Sequence, residues 1–88
     1  MKRYYVVYEG IVQGVGFRGR LMYLARKYKL TGYCRNLSNG DVEAEIQGNN
    51  IDAFIKESIN SDGFTQVYNY SLKLINTVEN EEGFIVKF

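Results

Sequence analysis

Apolar and polar residues follow two different periods along this chain. From Lys2 to Glu9 the period is two: Tyr4, Val6 and Tyr8 point one way, and Tyr5, Val7 and Glu9 the other. That alternation, rich in β-branched and aromatic residues, predicts a first strand. Leu21, Leu24, Ala25 and Tyr28 then recur at helical spacing and predict a helix over about residues 19–29. Arg20, Arg26, Lys27 and Lys29 form its wet face, with the late cations at the negative end of the dipole. Gly32 is expected to relieve the turn beyond it. A second strand covers about 33–37. Ser38-Asn39-Gly40-Asp41 reads as a tight primed hairpin turn, and Val42–Ile46 as a third strand with Val42, Ala44 and Ile46 inward and Glu43 and Glu45 out in solvent. Gly48-Asn49-Asn50 breaks that strand, and Asn49 or Asn50 is expected to cap a second helix with Ile51, Phe54, Ile55, Ser58 and Ile59 on one stripe. Residues 60–66 read as loop and Val67–Ile75 as a long fourth strand. The acidic turn Glu79–Gly83 leads into a last apolar piece, Phe84–Phe88.

The order is β-α-β-β-α-β with a terminal strand. It predicts an α+β, ferredoxin-like sandwich: an antiparallel sheet with two helices on one face and the other face left to solvent. No repeat, linker or low-complexity segment divides residues 1–88, so a single domain is expected. A chain of this length buries only about 60–65% of its unfolded surface, enough for one modest core.

Composition narrows the chemistry. Net charge is +1, so no global field points to nucleic acid or membrane. One cysteine excludes an internal disulfide and suits a reducing compartment; with no histidine a zinc site is not expected, and neither Ser nor Cys has a histidine to activate it. No apolar run approaches a membrane span and no signal-type segment opens the chain, so the cytoplasm is the expected location.

The distinctive stretch is Glu9-Gly10-Ile11-Val12-Gln13-Gly14-Val15-Gly16-Phe17-Arg18, a glycine-rich junction between strand and helix. Two readings stand on the residues alone. The glycines can serve only to turn the chain. Alternatively, the free N–H groups of the loop and helix start form a cradle for a phosphate, with the Arg18 fork at its rim. The common phosphate patterns are missing: no Gly-Lys-Ser/Thr occurs, and Gly14-x-Gly16-x-x-Gly19 lacks the acidic residue of a dinucleotide site.

Gly10-Ile11-Val12-Gln13-Gly14-Val15-Gly16-Phe17-Arg18 resembles the signature of the acylphosphatases, and Gly32-Tyr33-Cys34-Arg35-Asn36 resembles that family's second signature. Leu37–Glu43 is similar to the turn and strand that follow it. The resemblance is strong over about residues 4–48 and looser beyond. Ile11 stands where many relatives are basic or polar, Cys34 replaces a common valine, and Ser61-Asp62-Gly63-Phe64 replaces a frequent Gly-Pro.

The resemblance implies hydrolysis of the carboxyl–phosphoryl anhydride of an acyl phosphate to a carboxylate and inorganic phosphate. It implies direct attack of water, without metal, cofactor or covalent intermediate. Arg18 would bind the phosphoryl oxygens, the backbone of Gly14, Val15, Gly16, Phe17 and Arg18 would form the cradle, and Asn36 would orient the water. The implied partners are a small acyl phosphate and phosphate, with no nucleic acid or membrane, and the implied state is a monomer. On the residues alone, a solvated first-turn arginine is the favoured reading of Arg18, and Asn36 can be a turn residue bonded to its own backbone. Cys34 reads as a small core residue. An RNA-binding module on the same fold is disfavoured by Glu43 and Glu45 on the open face and by the missing aromatic signature. A phosphate-binding or regulatory module with little turnover is the closer alternative.

Overall fold

A computed structural model describes all of residues 1–88. Seven elements follow one another: β1 (Lys2–Ile11), α1 (Phe17–Lys27), β2 (Thr31–Asn36), β3 (Val42–Gly48), α2 (Ile51–Ser58), β4 (Gln66–Ile75) and β5 (Phe84–Lys87). The five strands form one sheet in the order β4-β1-β3-β2-β5. The β4/β1, β1/β3 and β3/β2 pairs are antiparallel, as expected, but β5 lies parallel to β2. The sheet is therefore mixed. Residues 76–83 explain the difference. They cross the end of the sheet where β1 and β2 begin and β3 ends, so β5 enters on the far side already pointing along β2. The Arg3 guanidinium donates to both Glu81 carboxylate oxygens at 2.7 and 3.1 Å, the Val78 N–H donates to Gln47 Oε1 at 2.8 Å, and Gly32 N–H donates to Gly83 O at 3.1 Å.

The core lies between the sheet and the two helices. Val6 and Tyr8 of β1, Cys34 of β2, and Val42, Ala44 and Ile46 of β3 face Phe17, Leu21, Leu24 and Ala25 of α1 and Ile51, Phe54 and Ile55 of α2. Each fully buried large side chain here contributes roughly 1.5–3 kcal/mol. The rings of Tyr8 and Phe17 meet edge to face with centroids 4.9 Å apart, and the one polar tip in this layer, Tyr8 Oη, lies 2.8 Å from Ser58 Oγ.

Several local expectations are corrected. α1 starts at Phe17 rather than 19, because Gly16 at φ 80° ends the loop and Phe17 is driven into the core. It ends at Lys27, and Lys29 at φ 57° makes the turn assigned to Gly32. Gly32 serves another need: a Cβ there would sit 1.8 Å from Glu45 O of the neighbouring strand. Gly10 is likewise inside β1, at a bulge, where a Cβ would lie 2.1 Å from Gln66 O. The Asn39-Gly40 turn is not a tight primed hairpin. Leu37 N–H donates to Asp41 O at 2.8 Å and Gly40 N–H to Leu37 O at 3.2 Å, and only Gly40 has positive φ, which closes a five-residue loop. Asn50 occupies the N-cap of α2 but at φ 62°, a geometry from which its side chain makes no capping bond. Arg20 is not merely solvated: it donates to the carbonyls of Glu57 and Asn60 at 2.7 and 2.6 Å, satisfying the C-terminal end of α2.

The largest correction is on the open face. Glu43 was expected in solvent and is only 5% exposed. It sits in the middle strand, flanked by Val7 on β1 and Arg35 on β2. Long neighbours close over it: Arg35 Nη2 lies 2.7 Å away, Tyr5 Oη donates at 2.7 Å, and Tyr33 Oη donates to both Glu43 and Glu45. The bond to Glu43 holds the Tyr5 phenol up at about 12. Arg3, 4% exposed, is clamped between Glu45, Gln47 and Glu81. This face is thus a saturated polar ladder rather than a bare surface.

Two outcomes follow. Arg3→Met leaves Glu45 and Glu81 without their cation and should cost about 2–3 kcal/mol in urea unfolding, since breaking a part-buried pair strands its partner. Burial pushes the Glu81 carboxyl up, but the bonds from Arg3 and Thr31 outweigh it and hold the group below its ordinary value of 4.5. A depressed folded value means the contribution is complete above the unfolded pKa and is lost as pH falls through the folded one. Thermal melts of Glu81→Gln should therefore lie below wild type at pH 7 and converge with it as the pH falls through the depressed folded value.

Candidate active site

The topology brings three strand ends together. β1 and β2 both run antiparallel to β3, and β5 runs with β2, so β1, β2 and β5 all finish at the same end of the sheet. The glycine loop leaves β1 there, Asn36 closes β2 there, and Lys87 and Phe88 end β5 there.

The loop is held at its two ends. Val12 and Phe17 are each 1% exposed and pin it into the core. Between them Gly14 and Gly16 adopt φ 73° and 80°, with open space where a Cβ would stand. These two glycines are needed for left-handed backbone, not for close packing. The resulting curl leaves its donors free: no backbone N–H from Gly14 to Arg18 donates to another group of the protein. The N-terminal end of the eleven-residue α1 carries no side-chain cap and no acidic residue in its first turn, so nothing on the helix neutralises that end. Consecutive unpaired N–H groups on a curled backbone form an anion-binding concavity.

Arg18 stands beside this curl. Its guanidinium lies 4.9 Å over the Phe88 ring, and Nη1 donates to Lys87 O at 3.2 Å. A cleft of about 330 Å³ opens there, lined by Val12, Gly14, Gly16, Phe17, Arg18 and Gly19 on one side and Val86 and Phe88 on the other. Arg18 is half-buried and has no carboxylate partner, so its charge is available to an anion.

Asn36 does not line that cleft. It is the last residue of β2, opposite Val42, and its Oδ1 is buried without a hydrogen-bond partner. A buried acceptor of this kind is costly to leave unmade and marks a place for a donor. Cys34, two residues earlier on the same face, lies with Sγ 3.8 Å from Arg18 O and links the strand to the start of α1. Desolvation pushes the Cys34 thiol up to about 12, against a smaller opposing effect of Arg18; it stays protonated and serves as a core side chain.

All five loop residues expected in the cradle sit in or beside the curl. Three participants were not foreseen from the sequence. Val86 and Phe88 face Arg18 across the cleft, and only the parallel placement of β5 puts them there. Gln13 ties the loop to the β2–β3 turn by two hydrogen bonds, to Leu37 O at 2.7 Å and Asp41 O at 2.8 Å. A polar side chain between the apolar Val12 and Gly14 was the available signal.

Comparison with known proteins identifies the family and the fold. Residues 4–86 match the family model described as Acylphosphatase. An acylphosphatase of Clostridium beijerinckii is 41% identical over the whole of both chains. The crystal structure of acylphosphatase from Bacillus subtilis superposes with a TM-score of 0.93 at 30% identity, covering all of both chains. A phosphate- and nucleotide-bound structure of full-length HypF matches 99% of this chain with 12% of its own, at a TM-score of 0.82 and 30% identity. The fold, the loop and the extent of these matches together make the chain a member of the acylphosphatase family.

Proposed function

We propose that this protein is an acylphosphatase that hydrolyses small acyl phosphates by direct attack of water on phosphorus. The carrying observation is the row of unpaired N–H groups from Gly14 to Arg18 beside an arginine with no carboxylate partner. Family membership supplies the reaction class, and the chemistry of these residues supports it.

In the reaction as we read it, the phosphoryl group enters the curl. Its oxygens accept from the backbone N–H groups of residues 14–18 and from the Arg18 fork, which stays charged and binds two oxygens at once. The acyl group extends toward Val86 and Phe88. Asn36 orients the attacking water through its side-chain amide and so points an oxygen lone pair at phosphorus. The new P–O bond forms as the P–O bond to the acyl oxygen breaks, and the carboxylate leaves with the electron pair. The protons of the water remain with the phosphate product, so a dianionic acyl phosphate and water give a carboxylate and dihydrogen phosphate. The leaving group needs no protonation, and the site needs no strong base. Its contributions are positioning and charge stabilisation. No step is assigned to a metal or a cofactor. We read the protein as a cytoplasmic monomer acting on free small molecules.

A second reading, a phosphate-binding module without turnover, keeps the cradle and drops the chemistry. One assay separates the two. Purified protein should hydrolyse benzoyl phosphate in excess EDTA, with inorganic phosphate inhibiting competitively. Phosphate binding without hydrolysis would favour the module. Arg18→Ala should lower kcat/KM by roughly a hundredfold or more and weaken phosphate inhibition with it, because one residue serves substrate and transition state alike. Asn36→Ala should lower kcat by roughly a hundredfold while leaving the phosphate inhibition constant within about twofold. Normal phosphate affinity in Arg18→Ala would remove that residue from the site.

A further inference from the structure

We infer that Gln13 is a positioning residue: its side-chain amide straps the phosphate loop to the turn that carries Asn36, and so sets the water-orienting group against the phosphoryl cradle. The inference rests on the proposed reaction, but its structural half can be tested without it.

Gln13 Nε2 donates one hydrogen to Leu37 O at 2.7 Å and the other to Asp41 O at 2.8 Å. The amide orientation is fixed by chemistry, since the reverse would place Oε1 against two carbonyl oxygens with no hydrogen between them. Both carbonyls already accept a backbone bond: Leu37 O from Gly40 N–H at 3.2 Å, and Asp41 O from Leu37 N–H at 2.8 Å. Gln13 therefore occupies the second acceptor position of each carbonyl that closes the turn. The residue after Asn36 is thereby held from outside its own loop, across 24 and 28 residues of sequence.

Apart from this strap, the two joined parts are related through β3, which β1 and β2 both pair with, and through the core. The loop enters the core through Val12 and Phe17, with Val15 packed partly buried against it, and Gly14 and Gly16 stand in open space. Asn36 Oδ1 has no partner of its own. Between β2 and the start of α1 the side-chain hydrogen bond is the weak 3.8 Å contact from Cys34 Sγ to Arg18 O, and the rest is apolar packing around Phe17 and Leu21. Gln13 sits one residue before the cradle and reaches to one residue beyond Asn36. It touches neither phosphate site nor water site; it sets the distance between them, and displacement of a catalytic group by an ångström costs large factors in rate.

The test uses Gln13→Met, which keeps the length and removes both donors, and Gln13→Asn, which keeps the donors and shortens their reach. Each should lower kcat for benzoyl phosphate by roughly tenfold or more and leave phosphate inhibition within about twofold. In an Asn36→Ala background the same substitutions should change kcat by less than about twofold, because the group they position is gone. The side-chain amide resonances of Asn36 in the folded Gln13 variants should shift or broaden relative to wild type. Equal-fold losses in the two backgrounds, or unmoved Asn36 resonances, would overturn the inference. The resonances decide alone where the Asn36→Ala rate is too small to compare. Failure of wild type to turn over benzoyl phosphate would instead sink the proposed reaction, and the Asn36 resonances would still report whether the strap exists.

Discussion

The register of β1 against β3 is the constraint on which the remaining structure hangs. Tyr8 opposite Val42 and Val6 opposite Ala44 fix which side chains face the helices, and a slip of one residue would turn Tyr8 and Val6 out of the core. The same register sets the open face, where Glu43 and Glu45 meet Tyr5, Tyr33 and Arg35 across both neighbouring strands. It also sets where β1 stops. The glycine loop leaves the sheet beside the strand end that carries Asn36 because both strands are measured against β3. One pairing thus links core, polar ladder and site.

The two faces depend on this pairing differently. The helix face is held by area: buried apolar side chains tolerate some exchange of shape as long as volume is kept. The polar face is held by saturation. Arg3 and Glu43 are buried charges whose stability depends on every partner being present. The crossing segment 76–83 depends on that face, since Glu81 and Val78 anchor to Arg3 and Gln47. β5 in turn depends on the crossing. The polar ladder therefore places the strand that carries Val86 and Phe88 opposite Arg18.

Much of this was legible in the residues. Period-two alternation named the inward set of β1 and β3, helical spacing named the buried stripe of α1, and the glycine loop with its arginine stood out before any fold was known. What escaped notice has a common cause: it depends on neighbours distant in sequence. Alternation placed Glu43 on the correct face but not at its depth, which is set by side chains from β1 and β2. Asn39-Gly40 carries a strong local turn preference, yet the strand ends determined a wider loop. Asn50 suits a helix cap in isolation and takes a left-handed backbone instead. Gln13 resembles any loop glutamine until Leu37 and Asp41 are brought beside it. The direction of β5 was invisible because nothing in Phe84–Phe88 reports the crossing that precedes it.

The convergence of three strand ends also has a meaning in time. Arg18 and the backbone of Lys87 that it touches are separated by 69 residues, and Gln13 bridges to Leu37 and Asp41 across more than twenty. Contacts of this span close late, because chain entropy is lost before they repay it. A hairpin of β2 and β3, or a helix docked on β1, can form while the cleft has only one wall. The complete cleft exists only once the crossing has been made and β5 has joined the sheet. The cleft is therefore a property of the finished fold: residues 12–19 and the end of β5 must both be in place before it has two walls.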